Sequence, residues 1–343
     1  MRNLTPIVCD DQGTLLAIVP RKKSLLRRQR LNNAIPTLIA RYEEYTANAS
    51  ELSAISLSPL VGDLIKDCQS FYSSDSEELS ALRKAIFDGQ PAILRSVCQY
   101  CSLGEPNTLD HYAPKGRFPE FSMFSENLIP CCGKCNTGKG EQWMEKGHRH
   151  FVNLYFDSFL NQPLLKAELK FEHNGEMVIK FSFEKHSFVT DTQFAIIKSH
   201  FDELDLHDRH TERAIGLIAE VHSTVRRRKF RLGQIEEMLG AEADSKAELF
   251  GPNYWQAAVY RCLEVSGRFM EECLGDEWLP RACVEVEYLL GLPISAATDQ
   301  MLRHIVETRA WRRYFYRGSV QGDSWADWFD ARLELGIPKE RWV

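Results

Sequence analysis

Apolar residues return every three or four positions along 33–48 (NAIPTLIARYEEYTAN) and 77–95 (EELSALRKAIFDGQPAILR). That spacing lays one apolar stripe down a helix. The polar run SSDSEE between them reads as a cap or loop, and residues 1–20 read as irregular. Residues 1–97 are therefore expected to form a mostly helical region. The period changes in 166–186, KAELKFEHNGEMVIKFSFEKH, where apolar and polar residues alternate about Asn174-Gly175. Leu169 and Phe171 lead into this turn, and Met177, Ile179, Phe181 and Phe183 follow it. The pattern predicts a β-hairpin. Beyond residue 190 the helical period returns in TQFAIIKSHFDELDL, in RHTERAIGLIAEVHSTVRRRKFRLGQIEEML and in YWQAAVYRCLEVSGRFMEECL. GLPIS (291–295) reads as a linker, and a last aromatic, basic helix pair is expected over roughly 297–335.

Residues 98–150 follow neither period. They are rich in Cys, Gly, Pro and Asn, which points to a loop-dominated segment held by metal. The expected fold class is α+β and mostly α. A helical region (1–97) precedes the metal-held core (98–150), then come a hairpin with helices (151–290) and a C-terminal helical region (291–343).

Composition adds limits. Of 343 residues, 44% are apolar and 26% charged, an ordinary globular balance. The net charge of −6 means that any polyanion contact must be a local basic patch. The opening MRNLTPIVCDDQGTLLAIVP is interrupted by Asp10 and Asp11, so no secretory leader is expected. No stretch approaches the roughly 18 apolar residues of a membrane span, so no membrane partner is expected and the cytoplasm is the expected location. In a reducing compartment the ten cysteines should not form a disulfide framework. Five of them crowd into 98–135. The others, Cys9, Cys68, Cys262, Cys273 and Cys283, are expected to be buried and inert.

Cys98-x-x-Cys101 and Cys132-x-x-Cys135 are separated by 30 residues. One such pair is ambiguous with a redox dithiol, whereas two pairs can close a tetrahedron around structural Zn²⁺. Cys131 breaks the spacing and is given no ligand role. The interval is longer than a zinc ribbon needs, and it carries LDHYAPKGRFPEFSMFSENLIP (109–130). Asp110-His111 lies at its start and Asn127 near its end; Asn136 and Lys139 follow the second pair.

This ordered set, Cys-x-x-Cys, Asp-His, Asn, Cys-x-x-Cys-Asn, x-x-Lys, resembles the HNH (ββα-metal, His-Me finger) endonucleases. It is most similar to the subgroup with zinc held by four cysteines, the endonuclease VII type. DHYAPKGRFPEFSMFSENLIPCCGKCNTGKG also resembles HNH nucleases found beside ATPases in bacterial anti-phage systems of the Septu and retron kind. The resemblance implies a nuclease that hydrolyses phosphodiester bonds, with DNA the expected substrate and RNA, including tRNA, the alternative. It also implies an ATPase or sensor partner. That partner must be a second chain, since CNTGKGEQ lacks the first glycine and the Ser/Thr of a nucleotide loop.

The residues suit that chemistry. Asp110 offers a carboxylate and Asn136 a carbonyl, hard ligands for a catalytic Mg²⁺ or Mn²⁺. His111 can accept a proton from water near neutral pH. Lys139, one turn past Asn136, could reach a phosphate. Adjacent Asp and His on a regular strand point to opposite faces; the resemblance implies a bent hairpin that reunites them at the helix start. By the same resemblance Asn127 braces the hairpin. Because the third position is Asn136 rather than His, His148 or His150 is an alternative ligand.

Basic stretches remain. RKKSLLRRQR (21–30) is either a solvated helix face or a contact surface. VRRRKFR (225–231) and WRRYFYR (311–317) interleave Arg with aromatics, which suits nucleic acid or a protein partner. Arg226, Arg227, Arg228 and Lys115 are the candidate nucleic-acid contacts. The competing reading is a non-catalytic zinc ribbon that binds nucleic acid or protein.

Overall fold

A computed structural model describes residues 1–73, 76–145, 147–171 and 177–274, with short pieces between 298 and 337. The Asn174-Gly175 turn, the 291–295 linker, Cys283 and 311–317 lie outside the described residues, as does most of 297–335. The chain divides into two compact units. The first contains 1–168, 179–214 and 244–258; the second contains 169–178, 215–243 and the chain from 259 onward.

The first unit opens with five helices: α1 (Asp11–Ile18), α2 (Leu25–Ala47), α3 (Asp63–Tyr72), α4 (Glu77–Asp88) and α5 (Ala92–Arg95). Side-chain caps start three of them, where Asp10, Ser24 and Ser76 accept from the backbone N–H groups of Gly13, Arg27 and Leu79. These bonds satisfy donors that a helix start leaves orphaned. α2 begins inside the basic run, eight residues before the apolar period becomes visible. Its buried face is Leu31, Ala34, Leu38, Tyr42 and Tyr45. α3 was not apparent from its sequence. Leu15, Ile18, Leu38, Cys68, Phe71, Leu82 and Ile86 form one core, and Leu109 and Leu128 of the following strands belong to it.

Those strands are β1 (Thr108–His111) and β2 (Leu128–Cys131), antiparallel, with Asp110 opposite Ile129 and His111 opposite Leu128. The 112–127 connection is packed rather than loose. Phe124 stacks on Tyr42 with centroids 4.5 Å apart, and Phe121 meets Tyr45 edge-on at 5.0 Å. Buried Glu120 accepts from Arg41 of α2 at 2.9 Å. β2 runs directly into α6 (Gly133–Lys139). A small pair follows, β3 (Met144–Glu145) with β4 (His148–Arg149), and then a two-stranded sheet of β5 (Leu165–Phe171) and β6 (Met177–Phe183). Ile179 and Phe181 of β6 are buried while Lys180 and Ser182 are exposed, the expected alternation.

α7 (Asp191–Glu203) starts with a Thr190/Gln193 capping box. α8 (Leu206–Arg228), α9 (Leu232–Phe250), α10 (Trp255–Glu264) and α11 (Gly267–Leu274) follow. The helical period read through 209–239 is divided between α8 and α9 at Lys229, which takes φ 51°. A left-handed lysine carries no Gly or Pro signal, so the pattern could not disclose it. None of the described helices is long and apolar enough to cross a membrane.

Candidate functional site

The first cysteine pair sits on a tight knuckle. The Ser102 N–H donates to the Cys98 carbonyl and the Cys98 N–H to the Gly104 carbonyl, both at 2.6 Å. Ser102 takes φ 57° to close the turn. A Cβ on Gly104 would lie 3.1 Å from Cys132 Cβ, so any side chain here would crowd the approach of the two knuckles. The second pair occupies the β2–α6 junction, with Cys132 as the residue that caps α6. Asn107 ties this junction to β1: its Oδ1 accepts from the Gly133 N–H at 3.1 Å, and its N–H donates to the Cys131 carbonyl.

The Sγ atoms of Cys98, Cys101, Cys132 and Cys135 all lie within 4.8 Å of one another, all four residues are buried, and none is in a disulfide. Cys101 and Cys132 Sγ are 3.8 Å apart. Tetrahedral Zn–S bonds of about 2.3 Å demand sulfurs about 3.8 Å apart. The donor set fits zinc. Hydrogen bonds from Cys101, Cys135 and Cys98 hold the Cys132 thiol below the ordinary range. Cys131 is outside this group, and burial pushes its thiol up. Cys68 and Cys273 are buried; Cys9 and Cys262 are half-buried.

The sequence did not disclose what grips this centre. Nε2 of His200 (α7) lies 3.0 Å from the Tyr100 carbonyl, and Nε2 of His210 (α8) lies 2.7 Å from that of Cys101. The indole of Trp255 (α10) donates to the Ser102 carbonyl at 3.0 Å. Because a carbonyl only accepts, both imidazoles carry their proton on Nε2. Three ring N–H donors thus hold three successive carbonyls of one knuckle. Burial lowers both imidazoles, His200 to about 4 and His210 to about 3, so they stay neutral. Arg209 of α8 donates to Cys135 Sγ at 3.7 Å and to the Leu204 carbonyl at 3.0 Å. The one signal for this clamp was a histidine on an apolar helix face, as in Ile196, Ile197, His200, Phe201.

β1 remains regular through His111, so its side chains alternate. Thr108 and Asp110 meet α6 and the knuckle, while Leu109 joins the helical core and His111 meets α3. The bend expected to reunite Asp110 with His111 does not occur in the strand. Asp110 is 2% exposed; its Oδ2 accepts from the Tyr100 hydroxyl at 3.0 Å and its Oδ1 from Lys139 Nζ at 3.1 Å. Lys139 is fully buried and also donates to the His111 carbonyl at 2.8 Å. Burial raises the Asp110 carboxyl, and Lys139 opposes that shift. The Asn136 amide donates to Thr108 Oγ1 at 3.0 Å. Two expectations change as a result. Lys139 is no surface phosphate contact, because it serves as the buried counter-charge of Asp110. Asp110 does not fit a divalent cation in this arrangement, since both oxygens are engaged and an ammonium stands beside one of them.

His111 is 9% exposed, with Nε2 3.0 Å from the Ser122 carbonyl and the Tyr72 ring edge-on at 4.5 Å. Nε2 therefore carries the proton and Nδ1 is the ring's acceptor. Burial lowers its pKa to about 4, helped by the positive charges of Lys115 and Lys139. Asn127 is fully buried: its Oδ1 accepts from the Ala113 N–H at 2.7 Å, and its Nδ2 donates to the carbonyls of Ala113 and Phe121. It thereby fixes the backbone just beyond His111. His150 Nδ1 faces Glu203 Oε1 at 3.3 Å, and His148 is exposed on β4.

Three of the six basic residues at 21–30 are ion-paired within the chain, Arg21 with Glu78, and Arg27 and Arg30 with Asp67. Arg226, Arg227 and Arg228 are exposed in the last turn of α8, in the second unit. Lys115 is half-buried, its ammonium 5.2 Å from the Tyr72 ring centre.

The protein is thus of mixed α+β class, mostly helical, with a buried centre of four thiols that could hold a structural metal such as zinc. Among known proteins it is similar to protein ea31 of Escherichia phage lambda, with 23% identity over 229 residues, 61% of this chain and 76% of that protein. No family model matches the chain, and no solved structure does.

Proposed function

We propose that this protein is a zinc-stabilised nuclease of the HNH class that hydrolyses phosphodiester bonds, with DNA as its substrate. The observation that carries this reading is the state of His111. Its Nε2 is committed to the Ser122 carbonyl, which leaves Nδ1 as the acceptor, and the backbone beyond it is braced by Asn127. In hydrolysis, Nδ1 accepts a proton from water as its oxygen attacks phosphorus, the bond to the 3′ oxygen breaks, and that oxygen takes a proton from solvent water. A divalent cation on Asp110 and Asn136, which the resemblance implies, would require Lys139 to leave Asp110, so no step is routed through one. The wider setting, an anti-phage system with an ATPase or sensor partner, rests on the resemblance alone.

One observation favours a second reading, a zinc module that binds without cutting. Tyr100 and Lys139 engage both oxygens of Asp110, and the Asn136 amide is committed to Thr108. A cleavage assay separates the two. Zinc-loaded protein is incubated with plasmid DNA and with total tRNA, in Mg²⁺ and in EDTA, beside His111→Ala. Cutting of DNA that His111→Ala abolishes is the expected result. Cutting of tRNA alone would keep the mechanism and change the substrate. Equal cutting by His111→Ala would remove the proposed base, and no cutting of either substrate would favour the binding module.

A further inference from the structure

His111 does not stand alone on its side of β1. Tyr72, at the end of α3, lies outside the cysteine-bounded core, yet its ring is the nearest aromatic neighbour of the imidazole, 4.5 Å away and edge-on. Its hydroxyl donates to the Leu109 carbonyl at 3.1 Å, which pins the ring against β1. Two cations gather on the same ring. Lys115 Nζ is 5.2 Å from its centre, and Arg83 Cζ, from α4, is 5.8 Å. The backbone of Lys115 is tied to α3 as well, since Gln69 Nε2 donates to its carbonyl at 3.2 Å. Tyr72, Arg83 and Lys115 are each half-buried, within reach of solvent but held in place. Lys115 has no carboxylate partner among the described residues, unlike Lys139 on the other face of the strand.

Cations gathered about an aromatic ring beside a proton acceptor suit a chain of phosphates carrying flat bases. On the opposite face, the carboxylate that would have to recruit a cation is already neutralised by Lys139. On the Tyr72 side, by contrast, Lys115 carries a charge that no carboxylate neutralises among the described residues.

We infer that Tyr72, Lys115 and Arg83 form the phosphate-receiving face of the site, so that α3 and α4 of the helical region deliver a polynucleotide backbone to His111. This rests on the nuclease reading above. Lys115 and Arg83 contact phosphate; Tyr72 is a positioning residue that holds both cations and the imidazole about one ring.

The test uses the full, zinc-loaded chain carrying His111→Ala, which leaves nucleic acid uncut. Binding of a fluorescein-labelled DNA duplex and of labelled tRNA is followed by anisotropy across a NaCl series. Adding Lys115→Gln or Arg83→Gln should weaken binding about tenfold each and reduce the log–log salt slope by about 0.9 per lost phosphate contact. Tyr72→Leu should weaken binding, while Tyr72→Phe, which keeps the ring, should restore most of it. Lys198→Gln, on exposed α7 surface, is the control for a general charge effect. Thermal melts confirm that each variant is folded. Parent-like affinity and slope in both charge variants would overturn the inference and leave the nuclease reading standing. Failure of the parent to bind either probe would sink that reading as well.

Discussion

At the scale of single residues, the two buried charges of Asp110 and Lys139 determine each other. Removing one partner of such a pair leaves the other uncompensated, at a cost of about 3–5 kcal/mol. Lys139→Met is therefore expected to destabilise the protein by about that amount in chemical denaturation, and Asp110→Asn combined with Lys139→Met should recover much of the loss. A double mutant no better than the single one would show that Lys139 matters for packing rather than charge. Asp11 makes a different kind of prediction. Burial raises its carboxyl to about 7, even though Ser125 donates to it from both N–H and hydroxyl. Between pH about 4 and about 7 the folded chain keeps a proton that the unfolded chain has lost. This group's contribution is thus fully present at low pH and declines as pH rises through that window. Asp11→Asn, which keeps the acceptor for the Ser125 N–H, should melt higher than wild type at pH 8 and converge with it near pH 4. A gap independent of pH would contradict the assignment.

At the scale of elements, what was legible depended on which partner a residue chose. Helices whose apolar side chains face the core announced themselves by period, as α2, α4 and α7 did. The ligand set was legible because thiolate spacing on a knuckle is local. α3 escaped notice because it is short and begins at Gly62 without a side-chain cap. The grip of α7, α8 and α10 on the first knuckle was hidden for another reason. Its acceptors are backbone carbonyls, and a carbonyl leaves no letter in the sequence. Its energetic consequence can be measured. His210→Leu leaves the Cys101 carbonyl buried and unpaired, at a cost of about 1–3 kcal/mol. The protein is expected to carry about one zinc per chain, and that zinc should pass to a chromophoric chelator faster from His210→Leu than from wild type. Identical release rates would mean that the helices stabilise the fold without steadying the knuckle.

At the scale of the whole molecule, the first unit draws together stretches far apart in sequence. Residues 1–168, 179–214 and 244–258 share it, so a core that reads as a local motif over 98–140 is completed by chain a hundred residues further on. The reading of regions in sequence order followed composition, which changes along the chain; contact follows the fold, which does not respect that order. The bond between Trp255 and the Ser102 carbonyl carries a consequence of another kind. An indole hydrogen-bonded to the backbone beside a metal-binding turn is an optical reporter of that turn. Its emission, isolated as the difference between wild type and Trp255→Phe, should shift to the red as the metal leaves and the ring meets water. Occupancy of the centre could then be followed in real time without a label.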